Sequence, residues 1–149
     1  MRQIKHIGSY GLIIKDNKIL LIKKNGGPYN GKLDLPGGTI EFRETPEEAL
    51  IRELHEEVGI IPIDYLLFDG NSVNIKWNHR GEDEEICHMG FFYLIKEYSG
   101  TINDNVEITE INDDSKGAEF YDIDTLNSDI LSNIADLEIN KLLSLHFFK

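Results

Sequence analysis

Residues 37–60 read GGTIEFRETPEEALIRELHEEVGI, and the punctuation inside this stretch defines a turn that feeds a helix. Thr45 is a good side-chain N-cap, Pro46 suits the first helical position, and Glu48 stands three residues after Thr45, as a capping box requires. Gly59 follows Val58 and supplies the left-handed residue that closes a helix. At about 100° per residue, Glu53, Glu56 and Glu57 fall within an arc of roughly 100°. Leu50, Ile51, Leu54 and Val58 occupy an adjacent arc, so the helix packs by one stripe and displays acid by another. Ala49 lies one turn before Glu53 on the acid face, where a small side chain leaves room for ions.

Most Glu-rich stretches are simply solvated helix faces. Against that reading, like charges at i,i+3 and i,i+4 each cost roughly a few tenths of a kcal/mol. A helix built only for solubility interleaves lysines, and none stands between Thr45 and Ile60. Arg52 is the helix's single Lys or Arg, next to Glu53 and four residues before Glu56, placed to orient or partly neutralise the acids. The spacing favours a metal-binding or catalytic role.

Gly38, five residues, Glu44, seven residues and then Arg52-Glu53-Leu54-His55-Glu56-Glu57-Val58-Gly59-Ile60 resembles the complete signature of the Nudix hydrolase family, of MutT-like type. The motif covers residues 38–60, and the strand pattern around it extends the likeness to most of the chain. The resemblance implies an α/β (α+β) fold, a sandwich with a mixed sheet between helices. It also implies hydrolysis of a diphosphate linkage in a nucleoside diphosphate derivative or nucleoside triphosphate, with Mg²⁺ or Mn²⁺. By resemblance Glu56 and Glu57 are the main metal ligands, Glu53 a ligand or the general base, and the Gly37 carbonyl a further ligand. Arg52 would then hold a glutamate in place, and Glu44 would brace the loop or reach a metal through water. Which glutamate is the base varies within the family and stays open.

The chemistry fits these residues without the family name. A pyrophosphate is shielded by its own charge, so water attacks only when cations neutralise the oxygens and a base takes the proton. Hard oxygen ligands select Mg²⁺ or Mn²⁺, and the Cys/His cluster that zinc prefers is missing.

Composition agrees with one domain over residues 1–149: 40% of the residues are hydrophobic, with no repeat, polar linker or low-complexity tract. The first residues lack the apolar block of a signal peptide, and no apolar run approaches a membrane span, which together exclude a membrane partner. A single cysteine, Cys87, excludes an internal disulfide and points to the cytoplasm; in a strand-like setting it reads as core rather than nucleophile. The net charge of −12, with no basic stripe, excludes long nucleic acid as a partner. A small nucleotide-like substrate stays compatible, since divalent ions reverse the local sign where glutamates cluster. The family resemblance also admits a homodimer.

Residues 10–15 and 18–23 read as strands joined by a turn at Asp16-Asn17. Residues 25–31 form a glycine-rich loop, 32–35 lead into Pro36-Gly37-Gly38, and 39–42 read as a short strand. After the acidic helix, 64–68 and 72–77 read as extended and 85–95 as the longest strand. Residues 106–108 have weak strand character, 118–123 form a final strand, 124–127 begin a short helix, and 136–147 close the chain as a helix with Leu137, Leu142, Leu143 and Leu145 as its apolar positions.

Substrate contacts must come from outside the acidic helix. Tyr29, Trp77, His79 and Arg80 are the loop residues suited to stacking on a base or touching phosphate. Glu82, Asp83, Glu84, Glu85, Asp113 and Asp114 are candidates for a further acidic ligand, although solvated loop acids is the better reading of any one of them. His88 reads better as a satisfied core histidine than as a ligand. The ADP-ribose group of the family often carries a proline about sixteen residues beyond the signature, and the NADH group a proline-rich stretch; prolines here stand only at 28, 36, 46 and 62. Two other classes remain: a non-catalytic Nudix domain sensing a nucleotide-like ligand, which would have lost signature acids, and a prenyl diphosphate isomerase, which would need a catalytic cysteine better placed than Cys87.

Overall fold

A computed structural model describes residues 1–102 and 115–148. Its elements are β1 (Arg2–Leu12), β2 (Ile14–Lys15), β3 (Lys18–Lys24), β4 (Leu33–Asp34), β5 (Gly37–Thr39), α1 (Pro46–Val58), β6 (Ile60–His79), β7 (Glu82–Gly100), β8 (Ser115–Asp122), a 3₁₀ turn (Ile123–Thr125) and α2 (Asn133–Ser144). One sheet runs β5-β1-β7-β6, with β1 parallel to β7 and the other pairs antiparallel. In the second, β3 pairs antiparallel with β2, β4 and β8.

Alternation of side chains along the central strands assigns the layers. Leu12, Ile19, Leu21 and Phe92 point to one side, where Ile134, Ala135, Ile139 and Leu142 of α2 cover them. Their neighbours Ile13, Leu20, Ile22 and Tyr93 point to the other, against Leu50, Leu54 and Val58 of α1. Strands buried on both faces need a helix on each, and the result is the mixed α+β sandwich expected from the sequence. Leu50 and Leu54 are fully buried; truncating either to alanine would cost about 2–5 kcal/mol.

Several element boundaries differ from expectation. The short strand lies at 37–39 instead of 39–42, because pairing of Tyr10 with Gly37 and Gly8 with Thr39 sets the register; Phe42 is fully exposed. The two segments at 64–68 and 72–77 belong to one strand, β6, whose pairing with β7 absorbs its irregularities at Pro62/Asp64, Asp64/Tyr65 and Leu67/Asp69. Helix α2 starts earlier than expected, where the Ser132 hydroxyl accepts the Ala135 N–H, and its buried stripe is Ile134, Ala135, Glu138, Ile139 and Leu142, which leaves Leu143 and Leu145 exposed. The segment expected at 106–108, like Asp113 and Asp114, lies outside the described residues. Among those described, no helix is long and apolar enough to cross a membrane.

Candidate active site

Helix α1 is aimed by its own caps. The Thr45 hydroxyl accepts the Glu48 N–H at 3.1 Å while the Glu48 carboxylate accepts the Thr45 N–H at 3.0 Å, and Gly59 ends the helix at φ 79°. Ser9 of β1 donates to the Pro46 carbonyl at 2.7 Å, tying the helix start to the sheet. The acid face therefore meets the paired glycines of β5. Gly37 has φ 138°, and a Cβ there would stand 2.1 Å from the Ser9 carbonyl oxygen. A Cβ on Gly38 would lie 2.6 Å from the Glu53 carboxylate. Gly37 admits no other residue, because its backbone is pressed on that of β1, whereas a side chain on Gly38 would displace the Glu53 carboxylate that rests on it.

Arg52 organises three of the acids with one planar fork. Its Nε and Nη2 donate to the two Glu44 oxygens at 2.7 and 2.9 Å, Nη1 donates to Glu53 at 2.9 Å and more weakly to Glu56 at 3.4 Å, and Nη2 also reaches the Thr39 carbonyl at 3.0 Å. The Glu44 carboxyl is lowered to about 2, chiefly by its bonds to Arg52, and it also accepts the Glu41 N–H, which braces the turn before the helix. Glu57 turns the other way and accepts the Gly37 N–H at 2.9 Å. Burial pushes the Glu57 carboxyl up to about 8, with the Gly37 bond and Lys24 opposing and Glu53 and Asp34 reinforcing the rise. Glu53 is raised by burial against the opposing pull of Arg52. Glu56 is exposed.

These groups form one end of a cavity of about 360 Å³. Glu53, Glu57, Asp34, Gly37 and Gly38 line the acid end together with Lys24; His6, Tyr10, Tyr29 and His88 supply rings, and Ile4, Ile75 and Ile86 an apolar wall. Of the residues expected from sequence, the structure gathers Gly37, Glu53, Glu57 and Tyr29 around this cavity. Arg52 and Glu44 stand behind Glu53. Trp77 and Arg80 are not among the lining residues: Trp77 stacks on His79 at 4.7 Å toward the end of the β6–β7 hairpin, and Arg80 sits in its turn at φ 55°. Three of the four acids at 82–85 are likewise used elsewhere, Glu84 pairing with His79 at 3.0 Å, Glu85 with Gln3 and Asp83 with Asn78, and Glu82 is exposed and does not line the cavity. Ala49 is fully buried and spaces the helix against its neighbours.

The sequence reading missed Lys24, Asp34, His6 and Tyr10, and it took His88 as core. His88 is indeed buried, but its two ring nitrogens lie 2.5 Å from the Tyr10 hydroxyl and 2.9 Å from that of Tyr29, on the cavity wall. The only available signal was alternation: Ile4, His6 and Tyr10 share one face of β1, and Ile86 and His88 the paired face of β7.

The donor set suits a hard divalent cation, since Glu53, Glu56 and Glu57 offer oxygen only and burial disfavours the ionised form of Glu57 that a cation would favour. Among the described residues no three such side chains already converge. Arg52 draws Glu53 and Glu56 to one side while Gly37 draws Glu57 to the other, which keeps like charges apart.

A sandwich that sets a glutamate-rich helix against paired glycines defines a class of phosphate-handling domains. The NUDIX domain pattern matches residues 5–141, and the chain belongs to that family. It is 35% identical over 116 residues to an ADP-ribose pyrophosphatase of Methanocaldococcus jannaschii, covering 78% of this chain and 61% of that protein. It is 36% identical over 92 residues to an 8-oxo-dGTP diphosphatase of Escherichia coli, covering 60% of this chain and 65% of that protein. The chain thus spans less than two thirds of the length of either relative. A crystal structure of a MutT NUDIX hydrolase from Burkholderia pseudomallei superposes with a TM-score of 0.72 at 26% identity, over 93% of this chain and 98% of that one.

Proposed function

We propose that this chain is a divalent-metal-dependent pyrophosphohydrolase that cleaves a phosphoanhydride bond in a nucleoside diphosphate derivative or nucleoside triphosphate by attack of water on phosphorus. The observation that carries this reading is the Glu57 carboxyl, held by the Gly37 N–H beside Glu53 at the acid end of a cavity whose other walls include rings and isoleucines. The acid end suits a diphosphate bridged by cations, and the ring-lined end suits a planar heterocycle. The substrates named for the two relatives share a nucleoside joined to a phosphoanhydride.

In this reading Glu56, Glu57 and the Gly37 carbonyl hold Mg²⁺ or Mn²⁺, which when bound neutralises phosphate oxygens and lowers the pKa of water. Glu53, which lines the cavity and has no metal to hold in this reading, takes the water's proton. Arg52 keeps Glu53 in one orientation, and Glu44 keeps Arg52. Lys24, half-buried on the cavity wall, adds positive charge on the phosphate side.

A substrate panel tests the proposal: nucleoside triphosphates including 8-oxo-dGTP, ADP-ribose, NADH, dinucleoside polyphosphates and nucleotide sugars, each with Mg²⁺ or Mn²⁺ and with chelator. Metal-dependent release of a nucleotide from at least one is expected. No release from any of them would overturn it and leave a nucleotide-sensing domain.

A further inference from the structure

The loop at 25–31 contributes Gly26, Gly27, Pro28 and Tyr29 to the cavity wall, and its glycines are loosely packed. Gly26, Gly27 and Gly31 all have positive φ, and a Cβ on any of them would meet nothing within 4 Å. The segment's hydrogen bonds close on itself and on its own strand end: Asn30 N–H to the Gly27 carbonyl at 3.1 Å, Gly31 N–H to the Lys24 carbonyl at 3.0 Å, and Gly26 N–H to the Asn30 side chain at 2.8 Å. Such bonds give the loop a shape without fixing its distance from the carboxylates. Tyr29 supplies the tie, its ring set in the core and 6% exposed, and its hydroxyl 2.9 Å from His88 Nδ1 on β7 and also bonded to the Ile134 backbone of α2.

His88 is 2% exposed and holds a second tyrosine, Tyr10 of β1, by its other nitrogen at 2.5 Å. A neutral imidazole has one N–H donor and one acceptor nitrogen, so one tyrosine donates to it and the other accepts from it. Burial, then the charges of His6 and Lys24, hold the His88 pKa down to about 3, so the ring is neutral at physiological pH. His6 stacks on it at 4.7 Å and 15°, and bonds Thr39, the neighbour of the glycine on which Glu53 rests.

We propose that His88 is a positioning residue: by bridging the hydroxyls of Tyr10 and Tyr29 it sets how far the loop at 25–31 stands from Glu53 and Glu57, and so where a substrate's diphosphate is seated. The inference rests on the hydrolase reading for its kinetic consequence, but not for its structural one. His88 touches no reacting atom in this account, so its loss acts on substrate seating through the loop.

Three variants test it. Tyr29→Phe removes one oxygen, His88→Phe removes both nitrogens at similar volume, and His88→Gln returns a donor and an acceptor. With whichever nucleotide the wild type hydrolyses, Tyr29→Phe and His88→Phe should each raise KM about tenfold, with kcat within about twofold of wild type. The double variant should fall well short of the product of the two single effects, exceeding His88→Phe only by what the Ile134 bond of Tyr29 contributes, and His88→Gln should recover most of the loss in its own background. Amide hydrogen exchange at 25–31 should accelerate in Tyr29→Phe and His88→Phe, and this readout needs no turnover. An unchanged KM, a fall in kcat in place of a rise in KM, additive effects in the double variant, or unchanged exchange would each overturn the proposal. If His88→Phe does not fold, Tyr29→Phe decides alone; if the wild type hydrolyses nothing, the hydrolase reading fails and the exchange measurement still decides the tie.

Discussion

At the scale of single residues, the site depends on where carboxylates are directed more than on how many there are. Arg52→Lys keeps the charge but loses the fork that bonds Glu44 and Glu53 together. With the proposed base, Glu53, misdirected, kcat should fall by about a hundredfold while the fold persists, as steady-state rates beside a circular dichroism spectrum would reveal; wild-type rates in this variant would remove Arg52 from the proposed mechanism. Glu57→Gln makes the complementary case. It leaves an oxygen for the Gly37 N–H and removes a buried charge surrounded by Glu53 and Asp34. Activity should be abolished, whereas the melting temperature of the metal-free protein at pH 8 should rise, by the equivalent of about 1–3 kcal/mol. An active variant, or a less stable one, would contradict the placement of Glu57 as a metal ligand that is costly to fold around.

At the scale of elements, legibility followed how local the determinants are. Helix α1 was readable to the residue, because Thr45, Pro46, Glu48 and Gly59 act on the backbone within a turn of themselves. The strand at 37–39 was misplaced since its register is decided by β1, nearly thirty residues earlier in the chain. The cavity behaved likewise: Tyr10, Lys24, Asp34 and His88 stand on four different strands, and no spacing within any one of them announces the others. Helix α2 conceals a charged contact as well. Glu138 is fully buried with neither oxygen hydrogen-bonded to a donor, and the Asp69 Oδ2 of β6 is in the same condition, while Asp69 Oδ1 lies 2.6 Å from Lys141 Nζ. One proton on Glu138, donated to Asp69 Oδ2, pairs one oxygen of each residue and leaves the second Glu138 oxygen without a donor. Burial, then Asp69, pushes the Glu138 carboxyl up to about 8; burial also acts to raise Asp69, but bonds from Lys141 and Glu138 outweigh it and lower the group. A carboxyl raised in the folded state contributes stability that is complete below its unfolded pKa and disappears as pH climbs through the folded value. Glu138→Gln should therefore flatten the loss of stability between pH 5 and 9. Urea midpoints of wild type and variant that decline in parallel would show that the pair holds no proton.

At the scale of the whole molecule, these titrations combine with a net charge of −12 to place the stability maximum well below neutrality. Above about pH 6.5 the folded chain holds protons on Glu57 and Glu138 that the unfolded chain has released, so stability rises as pH falls. Between about 6.5 and 4.5 His88 opposes this, because the unfolded imidazole is charged while the buried one, held down to about 3, is not. One such group against two leaves the slope in the same direction. Below 4.5 the sign reverses: Glu57 and Glu138 are protonated in both states, and His88 together with Glu44, lowered to about 2, now favours the unfolded chain with each proton taken up. Self-repulsion reinforces the alkaline side, since the pI is about 4.7 and net charge grows more negative above it. The metal-free protein, kept dilute against precipitation at its pI, should show its highest urea midpoint between about pH 4.5 and 5.5 and a clear decline by pH 8. Mg²⁺ or Mn²⁺ should lift that alkaline limb selectively, because an ion bound by ionised Glu56 and Glu57 stabilises only the folded chain and competes with protons for the same oxygens. A midpoint that is higher at pH 8 than at pH 5 without metal would mean that the buried carboxylates are already compensated by groups other than a cation, and an alkaline limb indifferent to both ions would remove the acid face of α1 as their binding site.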